Sequence, residues 1–96
     1  MSQASDQDPT RRLVAERLLE HRDTLIARIR AQLARTRAPS ARADDVFSTT
    51  LRRTDALTAA GRVLDTISDA HLLALATAIA RNAVRETRRE IARDAR

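Results

Sequence analysis

Only two positions inside this chain break a helix outright, Pro39 and Gly61, and they divide it into three stretches with helical apolar spacing. The first runs over residues 10–37, where Val14, Leu18, Leu25, Ile29 and Leu33 recur at helical intervals, flanked by Leu19 and Ile26. Asp8-Pro9 supplies its start, an acceptor for the N-cap followed by proline at the first helical position. Arg22 falls in the middle of that stripe. Two readings fit it: Arg22 neutralises a carboxylate on a neighbouring helix, or the helix is interrupted near Asp23, which then serves as a second N-cap. One continuous helix is the expectation adopted.

Ala38-Pro39 closes the first helix, because proline lacks a donor and forces its predecessor out of helical geometry. Ser40 is the expected cap of a second helix over residues 41–60, with Ala43, Val46, Phe47, Thr50, Leu51, Thr54 and Leu57 on one face. Gly61 stands where a residue after a helix C-terminus belongs. A connector with Val63, Leu64 and Ile67 follows, and Ser68 is placed to cap a third helix over residues 69–93. Its stripe of Leu72, Leu75, Ala76, Ile79 and Ala83 drifts toward Val84, Thr87 and Ile91, which predicts a kink or break near residues 81–83. No β-type alternation occurs. The expected fold is therefore all-α, a small bundle of three principal helices over residues 10–96 behind a disordered tail at residues 1–9.

The interior such a bundle encloses is poor in large side chains. Phe47 is the only aromatic residue, and the apolar share is mostly Ala, Leu, Val and Ile. As the one large ring, lying mid-stripe, Phe47 is expected to be buried.

Chemistry is the poorest part of the sequence. There is no Cys, hence neither a disulfide nor a thiolate metal site, which suits a reducing cytosol. His21 and His71 have no metal-ligand set around them, and His71 is expected as a surface or capping group in the first turn of its helix. Asp44 and Asp45 are adjacent, so on a helix they point about 100° apart and do not converge on one atom. A single Gly leaves no phosphate loop, dinucleotide fingerprint or nucleophile elbow. No catalytic residue, cofactor or metal is expected. No apolar run reaches membrane-spanning length, and the expected location is cytoplasmic.

Charge is more informative. All 18 basic residues are arginine, against 13 acids, for a formal net charge of +5. GC-rich bacterial coding accounts for the choice of Arg over Lys, but not for its placement. Residues 11–37 hold eight Arg against three acids, residues 38–78 four against five, and residues 79–96 six against three. On the last helix Arg81, Arg85, Arg88, Arg89, Arg93 and Arg96 project away from the apolar stripe. That arc has the form of a phosphate-tracking face, and equally of a solvated surface partly neutralised by Glu86 and Glu90.

Three segments carry a family resemblance. Leu18-Leu19-Glu20-His21-Arg22-Asp23-Thr24-Leu25 with its continuation to Arg30 resembles the first conserved helix of bacterial RNA polymerase sigma factors. Ala43-Asp44-Asp45-Val46-Phe47 is similar to the acidic-then-apolar start of the next helix. Ile79-Ala80-Arg81-Asn82, followed by further arginines, resembles the "IARN" signature of extracytoplasmic-function sigma factors. The resemblance is to the second conserved sigma region alone. It implies a helical domain that docks on the clamp coiled coil of core RNA polymerase and engages the upstream promoter element. Asp44, Asp45, Val46, Phe47, Ser48, Leu51 and Arg52 would lie on the polymerase-binding helix. Arg81, Asn82 and Arg85 would read the promoter, with Arg88 and Arg89 on phosphates. An anti-sigma protein is the further partner the family implies.

The sequence departs from that pattern in several places. The aromatics that precede "IARN" in the family, which support strand separation by stacking on unpaired bases, are replaced by Leu72-Leu73-Ala74-Leu75-Ala76-Thr77-Ala78. The usual Gln-Glu of the clamp helix is missing, the stretch after Gly61 is long, and no helix-turn-helix segment follows. The chain is then a fragment or a short divergent relative. Two other readings stand beside this one: an arginine-rich DNA-binding protein without polymerase affinity, and a helical interaction module, such as a dimeric regulator subunit, with solvated basic faces.

Overall fold

The computed structural model describes residues 9–61 and 66–95. Residues 1–8 of the expected tail, with the Asp8 cap, Val63, Leu64 and Arg96, lie outside them, whereas Pro9, assigned to that tail, begins the first described helix. Among the described residues there is no strand. The described residues form four α-helices: α1 (Pro9–Glu20), α2 (Arg22–Arg35), α3 (Ala43–Ala59) and α4 (Asp69–Asp94). A 3-10 turn, Ser40–Arg42, leads into α3. The three-helix architecture holds, with the first helix divided in two.

That division corrects the expectation of one continuous helix. His21 takes φ −101° and ψ 19°, and its N–H is shared between the carbonyls of Arg17 (3.3 Å) and Leu18 (3.2 Å). Asp23 is not the new cap; His21 holds that position, without a side-chain bond. The physical cause is tertiary, because both sides of the break are held elsewhere in the fold. Arg17 reaches Asp69 at the start of α4 (2.7 Å), with His21 Nε2 3.5 Å from the same carboxylate. Arg22 turns toward Asp44 (3.3 Å) and lies over the Phe47 ring at 5.6 Å. Both readings of Arg22 thus meet at one place.

The ends of α2 and α3 are closed by left-handed residues. Gly61 follows α3 with φ +94°, as its position required. At the end of α2, Arg37 takes φ +59°, the Ala38 N–H bonds Leu33 O at 2.9 Å and the Arg37 N–H bonds Ala34 O at 3.1 Å. That is a Schellman closure built on an arginine rather than a glycine. Ser40 does not cap α3, which starts at Ala43 behind the 3-10 turn. Asp44 and Asp45 in its first turn suit the positive end of the helix dipole. Ser68 caps α4 as expected, its Oγ accepting from the His71 N–H at 3.1 Å.

The core draws on all four helices: Val14 and Leu18; Leu25, Ile26, Ile29 and Leu33; Val46 and Phe47; Leu72, Ala76, Ala80, Ala83 and Val84. Phe47 is 5% exposed. Thr50, Thr54 and Thr58 extend the buried face of α3, and each hydroxyl donates to the carbonyl one turn back, at 2.8, 2.8 and 3.1 Å. Hydroxyls satisfied within their own helix can be buried without a partner from another. The break expected at residues 81–83 is absent, since α4 is continuous. Its stripe drifts because α2 and α3 pack on adjoining sides of it. Small Ala80 and Ala83 let both neighbours approach, and the helix stays unbroken.

Candidate nucleic-acid and partner interfaces

On an α-helix, residues four and seven apart share a face, so Arg81, Arg85 and Arg88 project together from α4. All three are exposed, as are Arg89 and Asn82. Arg85, Arg88 and Arg89 border one shallow surface depression with Ala92. Asn82 sits about 100° around the helix from Arg81, on a regular helical turn. The expected irregularity at Asn82 is therefore corrected. Its side chain leaves the helix beside Arg85 and Arg89, three and seven residues on, at the edge of the Arg81–Arg85–Arg88 row.

What the acids do decides whether this row keeps its charge. Glu86, expected to neutralise it in part, is engaged chiefly by Arg53 of α3, at 2.7 Å, with Arg89 acting on it at longer range. The Arg53 hydrogen bond holds the Glu86 carboxyl below its usual range. Asp55 is gripped by Arg11 from α1 through two bonds, 2.9 and 2.6 Å, and is likewise lowered. Asp69 is lowered first by Arg17 and then by His21. Asp44 pairs with Arg22. The arginines between helices thus engage the carboxylates. Among the described residues, Arg81, Arg85, Arg88 and Arg89 form no ion pair.

A second exposed surface lies on α3. Asp44, Asp45, Ser48 and Arg52 are all open to solvent, as a docking face requires. Asp45 and Arg52 border a groove between α3 and α4 that also takes in Arg42, Thr49, Glu86 and Glu90. Arg52 Nη2 donates to Thr49 Oγ1 at 3.1 Å, which steadies it along the helix. Val46 and Phe47, placed by the resemblance on the same helix, point inward as core, and Leu51 is half-buried. The groove mixes both signs of charge, unlike the α4 row.

Sequence reasoning missed Gln32 and Arg35. With Thr36 they come from the last turn of α2 and border a cleft completed by Arg81, Val84 and Arg85. The two helices are tied upstream of it, where Arg28 Nη1 donates to Thr77 Oγ1 at 3.0 Å. Gln32 is the one buried polar side chain among the described residues whose Oε1 finds no partner. An orphaned buried acceptor costs about 1–3 kcal/mol. The only sequence signal was a glutamine next to Leu33 on an apolar stripe, and nothing in it pointed to α4.

His71 is exposed, and no group of three or more His, Cys, Asp or Glu among the described residues is arranged to hold a metal ion. No helix is long and apolar enough to cross a membrane among the described residues. No protein family, curated protein or solved structure matches this chain.

Proposed function

We propose that this chain works in transcription initiation as a sigma-factor-like domain. Its α3 face docks on the clamp coiled coil of core RNA polymerase, and the arginine row of α4 holds the upstream promoter element. The observation that carries the reading is the distribution of counter-charge. Four carboxylates are engaged by arginines of other elements, while Arg81, Arg85 and Arg88 remain without an ionic partner among the described residues and Arg89 has only the longer-range attraction of Glu86. A row of unpaired guanidinium groups along one helix is a surface that gains from a phosphate backbone. The segments that resemble conserved sigma sequence supply this row and the exposed face of α3. Phe47 is the sole aromatic and lies in the core, so no ring is left to stack on separated bases. The domain's role is accordingly to hold promoter DNA, with strand separation left to other parts of the initiation complex.

The arginine row equally supports a second reading, a DNA-binding protein independent of polymerase. Capture on immobilised core RNA polymerase separates the two. Under the sigma reading the wild-type chain is retained, and the Asp45→Ala, Arg52→Ala double variant is lost from the resin with an unchanged circular dichroism spectrum. A chain that ignores polymerase while still binding DNA through α4 belongs to the second reading.

A further inference from the structure

Gln32 stands at a core-facing position of α2, beside Leu33 and one turn after Ile29, with 9% of its surface exposed. Its Oε1 is buried without a partner, and the residue borders the cleft. Around that amide stand Arg35, Arg81 and Arg85, none of which forms an ion pair among the described residues. The hydroxyl of Thr36 donates to Leu33 O at 3.0 Å and is occupied. Of the carbonyls at the end of α2, those of Gln32, Leu33 and Ala34 accept from the Thr36, Ala38 and Arg37 N–H groups. The cleft thus presents donors and positive charge. A leucine at position 32 would pack without an orphaned acceptor, so the amide costs the core an unmade hydrogen bond.

We infer that this cleft seats one phosphate group, held by Arg35, Arg81 and Arg85 and contacted by the Gln32 amide. The guanidinium fork matches the spacing of phosphate oxygens, and three such forks from two helices define a position rather than a diffuse field. The inference rests on the reading that the α4 row binds nucleic acid, and it extends that footprint. A backbone running past Arg88 and Arg85 turns onto the end of α2 instead of following α4 alone. A free phosphate compound presents the same group, and the experiment separates the two sources.

The full chain is tested in two arms. In the first, labelled single- and double-stranded DNA is titrated over a series of salt concentrations. Arg35→Ala and Arg85→Ala each reduce the slope of log K against log salt by about 0.9 on duplex and about 0.7 on single strands, one phosphate's worth. The double variant falls no further than either single one, because both act on the same phosphate. Arg30→Ala, exposed on α2 outside the cleft, keeps the wild-type slope. Gln32→Leu weakens binding about threefold to tenfold, the loss of one hydrogen bond, while Tm is unchanged or higher, which no purely structural role would produce. In the second arm, inorganic phosphate and pyrophosphate are titrated into isotopically labelled chain. A saturable shift at the Gln32 amide that Arg81→Ala abolishes, without DNA affinity, assigns the seat to a free phosphate compound. A wild-type slope in Arg35→Ala together with no phosphate-induced shift overturns the seat. Arg88→Ala still lowering the slope in that case leaves the nucleic-acid reading standing, and an unchanged slope there removes that reading as well.

Discussion

Replacing Phe47 by alanine removes the only ring from a core otherwise made of Ala, Val, Leu, Ile and Thr. The side chain is 5% exposed, so almost the whole of it leaves a cavity, a loss of about 3–5 kcal/mol. Arg22 lies 5.6 Å above the ring and is half exposed, which adds about 0.5–1 kcal/mol of stacking to the loss. A domain of 96 residues has about 5–15 kcal/mol in total, so the variant loses a large share of its stability and melts at least about 12 °C lower. With neither Trp nor Tyr in the chain, unfolding is followed by far-UV circular dichroism in urea. Phe47→Leu keeps the reasoning measurable if the alanine variant does not fold, with an expected loss of about 1–2 kcal/mol. A double-mutant cycle between Phe47→Leu and Arg22→Ala isolates the stacking contribution. An alanine variant within about 0.5 kcal/mol of wild type, the usual range for surface substitutions, would refute Phe47 as the centre of the core.

Arg37→Gly relieves a left-handed arginine, whose strain of about 1–2 kcal/mol exceeds the entropy cost of glycine. The expected result is a gain of about 0.5–1 kcal/mol in urea unfolding, and a loss would show that the Arg37 side chain has a role of its own. Asp55, Asp69 and Glu86 are all lowered in the folded chain, so the unfolded chain binds their protons first. Their stabilisation is fully present above the ordinary carboxylate range near pH 4 and is lost as pH falls through the lower folded values. Tm should drop on acidification below about pH 4, with a smaller drop in Asp55→Asn, and a flat profile would contradict the pairing. Arg88→Ala should weaken binding to all DNA sequences alike and lower the salt slope by about 0.9 on duplex, whereas Asn82→Ala should leave the slope untouched and alter sequence preference. Identical behaviour of the two variants would erase the division between positioning and reading on α4.

Helix content and helix ends were legible in the sequence because both are local. Apolar spacing, Pro39, Gly61 and Ser68 act within a turn or two of themselves, and α3 and α4 lie within two residues of their expected bounds. The exposure of Asp45, Ser48, Arg52, Arg81, Arg85, Arg88 and Arg89 was equally readable, since each stands off a strongly apolar stripe. The break at His21 was not. Interrupting an exposed helical turn and continuing it differ by about 1 kcal/mol, less than the contacts Arg17, His21 and Arg22 make with Asp69, Asp44 and Phe47. The same limit hid the continuity of α4 at residues 81–83, where a drifting stripe reads as a kink until two neighbours are known to share it. It also hid the partner of Glu86, which in sequence stands among α4 arginines and in space belongs to Arg53. Nor does any local rule bring Gln32 and Arg35 to Arg81 and Arg85, because that cleft exists only once α2 is laid against α4. Patterning along the chain determined which residues are helical and which face outward. The packing of one helix on another decided which charges cancel, and so which arginines remain for a partner.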